Sequence, residues 1–171
     1  MIFFTSDLHL NHNNILKYEQ RPYRDIEDMN QSLIDNWNRK VSKNDTVYVL
    51  GDFCFAKTVS ETENFLSQLN GHKILIKGNH DHSSVYKAKG WDKVYDYYEL
   101  EINNVLVCLF HYPIAVWNCK HHDSIHLFGH IHSNKADHHP MTYDLGRAYN
   151  VGVDIFGEPV TLEEILKHYE G

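Results

Sequence analysis

Five short apolar runs punctuate the chain, and each gives way to polar residues at its carboxyl end. Met1–Ser6 (MIFFTS) runs into Asp7 and His9, and Thr46–Leu50 (TVYVL) into Gly51 and Asp52. Lys73–Ile76 (KILI) leads to Gly78-Asn79-His80-Asp81, Val105–Phe110 (VLVCLF) to His111, and Ser124–Phe128 (SIHLF) to Gly129-His130-Ile131-His132. Short runs rich in β-branched and aromatic residues, bounded by glycine or polar positions, predict buried strands. A different period rules Asp25–Val41. There Ile26, Met29, Leu33, Ile34, Trp37 and Val41 recur at spacings of three and four, which predicts an amphipathic helix. Ser60 with Glu63 predicts a capped helix running through Leu69, Thr161 with Glu164 caps a final helix Leu162–Tyr169, and a short helix is expected near Asn14–Tyr18. Tyr98–Ile102 and Val105–Phe110 flank Asn103-Asn104, a pair suited to the positive φ of a tight hairpin turn.

Strand and helix alternate in the first half and strands dominate the second. That order predicts an α/β chain with stacked sheets and helices outside them. No repeat, low-complexity tract or linker divides the sequence, so residues 1–171 are expected to form a single domain, and 20.1 kDa is enough for a sizeable core. Asn118–Asp123 and Asn134–Pro140 read as loops around a site mouth.

Composition narrows the function classes. A formal net charge of −7 argues against strong non-specific binding to long nucleic acids, which requires clustered Lys and Arg. Small phosphorylated substrates stay open, because bound divalent cations reverse the local field. Cys54, Cys108 and Cys119 form no C-x-x-C pair and sit in or beside apolar stretches, so they read as buried thiols in a reducing compartment. Met1 opens directly into a strand and no apolar run nears the roughly 18 residues of a membrane span, so a soluble, cytoplasmic protein without a membrane partner is expected. The sequence leaves the oligomeric state open.

The 14 histidines are the compositional outlier, and many fall at the strand ends. In α/β sheets, ligands collect beyond the carboxyl ends of the strands. Asp7 and His9 are one residue apart, so both can turn to one ion while Leu8 faces the core. His130 and His132 repeat that spacing, and their imidazoles favour Mn, Fe, Co or Zn over Mg or Ca. Asp52 is a carboxylate able to bridge two cations. Asn79 offers a neutral oxygen, leaving His80 free for proton transfer and Asp81 to orient it. Taken singly, Asp7-x-His9, Gly51-Asp52 and His111 read better as solvated or strand-terminating turns and a satisfied strand-end histidine, and Gly78-Asn79-His80-Asp81 equally well as a turn with a helix cap. Five strand ends carrying metal-binding residue types together read as a metal centre. His121, His122, His138 and His139, in polar loops, read as solvated.

The ordered set Asp7-x-His9, Gly51-Asp52, Gly78-Asn79-His80-Asp81, His111 and Gly129-His130-x-His132 resembles the signature of the calcineurin-like metallophosphoesterases. The resemblance implies a four-layer α/β/β/α sandwich with a dinuclear metal site, Mn first among the candidates and Fe, Zn, Co or Ni also suitable. It implies one metal held by Asp7, His9, Asp52 and His132, and another by Asp52, Asn79, His111 and His130. His80 is then the catalytic histidine, with Asp81 its partner. The further pattern of His12 after His9, followed by Arg21-Pro22, resembles a small branch of that superfamily, and His12 and Arg21 are expected to bind substrate phosphate. The expected reaction is hydrolysis of a phosphodiester or phosphomonoester of a small or nucleotide-like substrate by a metal-bridging hydroxide. A nuclease acting on short or single-stranded nucleic acid, and a non-catalytic binding module on the same fold, are the alternatives.

Overall fold

The computed structural model describes residues 1–133 and 145–171. In chain order the elements are β1 (Ile2–Thr5), α1 (Ile15–Tyr18), α2 (Ile26–Lys40), β2 (Thr46–Val49), α3 (Val59–Gln68), β3 (His72–Ile76), α4 (Ser83–Tyr86) and β4 (Lys93–Tyr95). They continue as β5 (Tyr98–Ile102), β6 (Val105–Leu109), β7 (Ile125–Phe128), β8 (Ala148–Asn150), α5 (Val153–Phe156) and α6 (Leu162–Glu170), with a 3₁₀ turn at Lys120–His122 before β7.

Two four-stranded sheets result. The first runs β1-β2-β3-β4 and is wholly parallel. The second runs β5-β6-β7-β8, with β5 antiparallel to β6 and the other pairs parallel. Side chains alternate across a strand, and the apolar runs are buried on both faces. Phe3, Val47, Val49 and Leu75 face Met29, Leu33 and Trp37 of α2 and Leu66 of α3. Their neighbours Phe4, Tyr48, Leu50 and Ile76 face Val107, Leu109, Ile125, Leu127 and Tyr149 of the second sheet. Burial on both sides is why these parallel strands read as continuous apolar runs rather than alternating ones.

The outer face of the second sheet carries Cys108 and His126, both buried. The segment after β6 covers them: the Trp117 ring lies 5.4 Å from that of His126, and the Nδ1–H of His126 donates to the Cys108 carbonyl at 3.1 Å. Val160 pairs with Phe4, and α6 closes the edge shared by β1 and β8, where Tyr169 donates to the Asn150 carbonyl at 2.9 Å. The mixed α/β architecture with two stacked sheets and helices outside agrees with the sequence expectation.

Several local features differ from it. Strands β4 and β8 are three residues each, too short to show a period. The helix expected from Ser60 is capped two residues earlier by Thr58, whose side chain accepts from the Glu61 N–H at 3.2 Å, because Thr58 and Glu61 repeat the same cap spacing. Cys54 and Cys108 are buried as expected, but Cys119 is exposed, on a left-handed turn outside the second sheet. Asn118–Asp123 precedes the amino end of β7, whereas the ligand motifs follow carboxyl ends, so this loop and its His121 and His122 do not line the site mouth. Asn134–Pro140, with His138 and His139, lies outside the described residues. Among the described residues no helix is long and apolar enough to cross a membrane.

The cap position is open to direct measurement. Thr58→Ala is expected to cost about 1 kcal/mol of unfolding free energy, and Ser60→Ala only a few tenths, by denaturant unfolding. Equal losses would return the cap to Ser60.

Candidate metal centre

The carboxyl ends of β1, β2, β3, β6 and β7 meet at one edge of the sandwich. Beyond its last regular pair, β1 stays zipped to the chain leaving β2: Asp7 N–H donates to Gly51 O, His9 N–H to Asp52 O and Leu10 N–H to Phe53 O, each at 3.0 Å. Across the other sheet Gly129 N–H donates to His111 O at 2.9 Å. The backbone pairing therefore delivers the ligand-type residues together, before any side-chain contact is considered.

Asp7, His9, Asp52, His130 and His132 all have positive φ, between 51° and 70°. Left-handed backbone costs about 1–2 kcal/mol per residue for most side chains, less for Asp and His. Such strain persists where the surroundings over-determine it, and it gathers at functional sites. Glycines make room beside these turns. A methyl group on Gly78 would collide with Asp52 Oδ1, and one on Gly129 with Asp7 Oδ2 and Ser6 Oγ.

The side chains converge tightly. His9 Nε2 is 3.5 Å from Asp52 Oδ2 and 3.9 Å from Asp7 Oδ1. His111 Nε2 is 3.6 Å from Asp52 Oδ2, and His132 Nε2 is 4.0 Å from Asp7 Oδ1. Asn79 Oδ1 stands 3.0 Å from both His111 Nε2 and His130 Nδ1. All seven candidate ligands (Asp7, His9, Asp52, Asn79, His111, His130 and His132) are thus gathered into one cluster.

The free nitrogens follow from hydrogen bonds made behind the ligands. His111 donates from Nδ1 to Leu50 O at 2.7 Å, and His132 from Nδ1 to Asp154 Oδ2 at 2.8 Å, which leaves both Nε2 atoms with lone pairs facing the cluster. His9 Nδ1 lies 3.3 Å from His12 Nδ1. When His9 is the donor there, its Nε2 is bare. That nitrogen is buried and has no hydrogen-bond partner. Separations of 3.5–4.0 Å are too long for hydrogen bonds and suit donors sharing a cation with bonds of about 2.1 Å. The orphaned His9 Nε2 and the mixture of carboxylate, amide and imidazole donors fit a transition-metal ion.

Burial and the neighbouring charges pull the groups of the cluster in different directions. Burial pushes the Asp7 carboxyl up, against the pull of His111 and His132. Burial, reinforced by the imidazole of His132, pushes His9 down, so it stands neutral as a ligand must. Burial also resists protonation of His132, but its bond to Asp154 together with the charges of Asp7, Asp154 and Glu19 outweighs this and raises it. Burial would raise Asp154, yet His132 and Arg21 together hold it below the usual carboxylate range.

Two expected roles change. Asp81 does not orient His80. Its buried carboxylate accepts from the N–H groups of Asp52 (2.8 Å), Phe53 (3.0 Å) and Gly78 (2.8 Å), clamping the two turns that carry Asp52 and Asn79. His80 instead reaches Asp52 through its backbone N–H, at 2.9 Å from Oδ1. Arg21 does not face the cleft. It is buried, and its guanidinium is committed to Asp154 and to the carbonyls of Asp7 and Leu8. That leaves no fork for a phosphate. His12 is half-buried, its ring stacked on Phe55 at 3.7 Å and 7°. Sequence reasoning missed Asp154, Ser6 and Phe55. Asp154 follows Gly152 shortly after β8 and repeats the strand, glycine, acid order of Asp52, the one local signal that was there to find.

Comparison with known proteins agrees with this geometry. The model of the calcineurin-like phosphoesterase superfamily domain matches residues 1–152. An uncharacterized protein of Methanocaldococcus jannaschii is 35% identical, the alignment covering 99% of this chain and 91% of the relative. The gene 66 protein of Mycobacterium phage L5 is 27% identical over 95% of this chain and 91% of its own length. A crystal structure of a protein of unknown function from Aquifex aeolicus superposes with a TM-score of 0.79 at 25% identity, covering 98% of each chain.

Gly78→Ala tests the close approach. Its methyl must displace the Asp52 carboxylate, so manganese binding measured by calorimetry is expected to fall at least tenfold while circular dichroism stays native. Unchanged affinity would show that the Asp52 orientation is not critical.

Proposed function

The chain belongs to the calcineurin-like phosphoesterase superfamily, and on that footing we propose that it hydrolyses a phosphoester of a small or nucleotide-like substrate with the help of two metal ions. The observation that carries this reading is the buried His9 Nε2, without a partner and 3.5 Å from an Asp52 oxygen that His111 approaches at 3.6 Å from another side. One carboxylate oxygen between two imidazoles suits a bridging ligand.

When bound, two divalent ions, manganese first among them, supply Lewis acidity toward the phosphoryl oxygens and lower the pKa of water. The chain's own residues do the rest. Asp7, His9, Asp52 and His132 would hold one ion, and Asp52, Asn79, His111 and His130 the other. His80 is exposed, and its ring lies 5.7 Å from that of His9 and 5.1 Å from Phe55. From there it donates a proton to the departing oxygen or stabilises charge on the phosphoryl group. In this reading His12 Nε2, the ring nitrogen not engaged with His9, meets a phosphoryl oxygen.

A nucleotide-like substrate is favoured by Tyr112, whose exposed ring lies 4.6 Å from that of His130 at the rim. Aromatic rings at such a position stack on bases. A nuclease acting on short single strands is the second reading. It rests on the same ring.

Hydrolysis of bis-(p-nitrophenyl) phosphate by metal-free and manganese-loaded protein tests the main proposal, which requires metal-dependent turnover. His80→Ala is expected to retain both ions by elemental analysis while kcat falls about 10²–10⁴-fold. Loss of one ion equivalent would instead make His80 a ligand.

A further inference from the structure

Arg21 is a cation buried beside a cluster that is expected to hold further cations, and it does not touch the cleft. Its Nε donates to Asp154 Oδ1 at 2.8 Å and Nη2 to Asp154 Oδ2 at 3.0 Å, a two-pronged pairing. Nη1 also donates to the Leu8 carbonyl at 2.8 Å and Nη2 to the Asp7 carbonyl at 2.6 Å. Those carbonyls belong to the turn in which both Asp7 and His9 take positive φ. On the far side of the pair, Asp154 Oδ2 accepts from His132 Nδ1 at 2.8 Å.

We propose that Arg21 and Asp154 are positioning residues for the metal position formed by Asp7, His9 and His132. The inference rests on the metal-centre reading above. One guanidinium fastens the β1 turn, which supplies two ligands, to α5, and the α5 carboxylate fastens the β7 turn, which supplies the third. Three chain segments far apart in sequence are therefore held in register by one ion pair. The charges of Arg21 and Asp154 offset each other, so the clamp adds no net charge behind the ligands. A carboxylate behind an imidazole also fixes its tautomer and makes the opposite nitrogen a stronger donor to metal. His111 lacks this support, since its Nδ1 rests on the neutral Leu50 carbonyl. Charge-assisted anchoring thus distinguishes His132 from His111.

Lysine is a poor substitute for Arg21, because a single ammonium cannot meet both carboxylate oxygens and two carbonyls at once. Asp154→Asn keeps the size of the side chain and removes the charge.

Manganese affinity is to be measured by chelator competition on the wild type, Arg21→Lys and Asp154→Asn, with Thr161→Ala as a control for general loss of stability. Both clamp variants are expected to bind manganese 10–100-fold more weakly at one position, with the control unchanged. The Nδ1–H resonance of His132 in ¹⁵N-histidine-labelled protein is expected to move upfield in Asp154→Asn, where a neutral amide oxygen replaces the carboxylate as acceptor. Should Arg21→Lys fail to fold, Asp154→Asn decides the matter alone. Wild-type affinity in a folded Asp154→Asn protein overturns the proposal, as does a defect in both clamp variants confined to KM. A wild type that binds no manganese overturns the metal-centre reading instead.

Discussion

A carboxylate with no exposure to water sets the terms for the rest of this molecule. Asp7 lies between the ends of the two sheets, and burial there penalises its charge. Its Oδ2 accepts from Ser6 Oγ at 2.6 Å and from the His130 N–H at 3.0 Å. Its Oδ1 shares the His130 N–H at 3.2 Å and faces imidazole nitrogens of His9 and His132 at 3.9 and 4.0 Å, beyond hydrogen-bond range. With Asp52 nearly as buried, the cluster still leaves His9 Nε2 without any partner from the described residues. Partly satisfied networks of buried charge are costly, and a cation between these donors removes the deficit.

The architecture serves that requirement. Parallel strands place their carboxyl ends on one side, so five separate segments arrive at one edge without a long loop. The left-handed turns then swing successive ligands inward, and the packing of Phe4, Leu50 and Leu127 between the sheets holds those turns in place. Local strain at the ligands is thus sustained by apolar burial directly behind them.

Asp81 and Arg21 teach the same lesson about charged residues beside a motif. Each lies next to groups it was expected to serve chemically, and each is instead spent on backbone. Asp81 collects three N–H groups, and Arg21 two carbonyls together with Asp154. A buried charge takes the strongest partners within reach, and at sharp turns those are peptide groups left without a ladder. Their effect on chemistry passes through the position of Asp52, Asp7 and His132.

The five main strands, the long helix with Trp37 at its core, the Thr161–Glu164 cap and the Asn103-Asn104 hairpin were all legible in the sequence. So were the seven residues gathered at the sheet edge. Each of these depends on local information: a period of two or of 3.6, a cap spacing, or a ligand-type residue directly after an apolar run. Strands β4 and β8 escaped because three residues carry no period. Asp154 escaped because its partners, Arg21 and His132, come from other parts of the chain and meet it only when α5 packs against the ends of β1 and β7. Which atoms a buried ion touches is decided by that packing, since desolvation makes every available donor count and proximity in space bears no relation to proximity in sequence. The residue types capable of metal chemistry were therefore readable one strand end at a time, while the division between ligands and the groups that hold them became visible only in the folded chain.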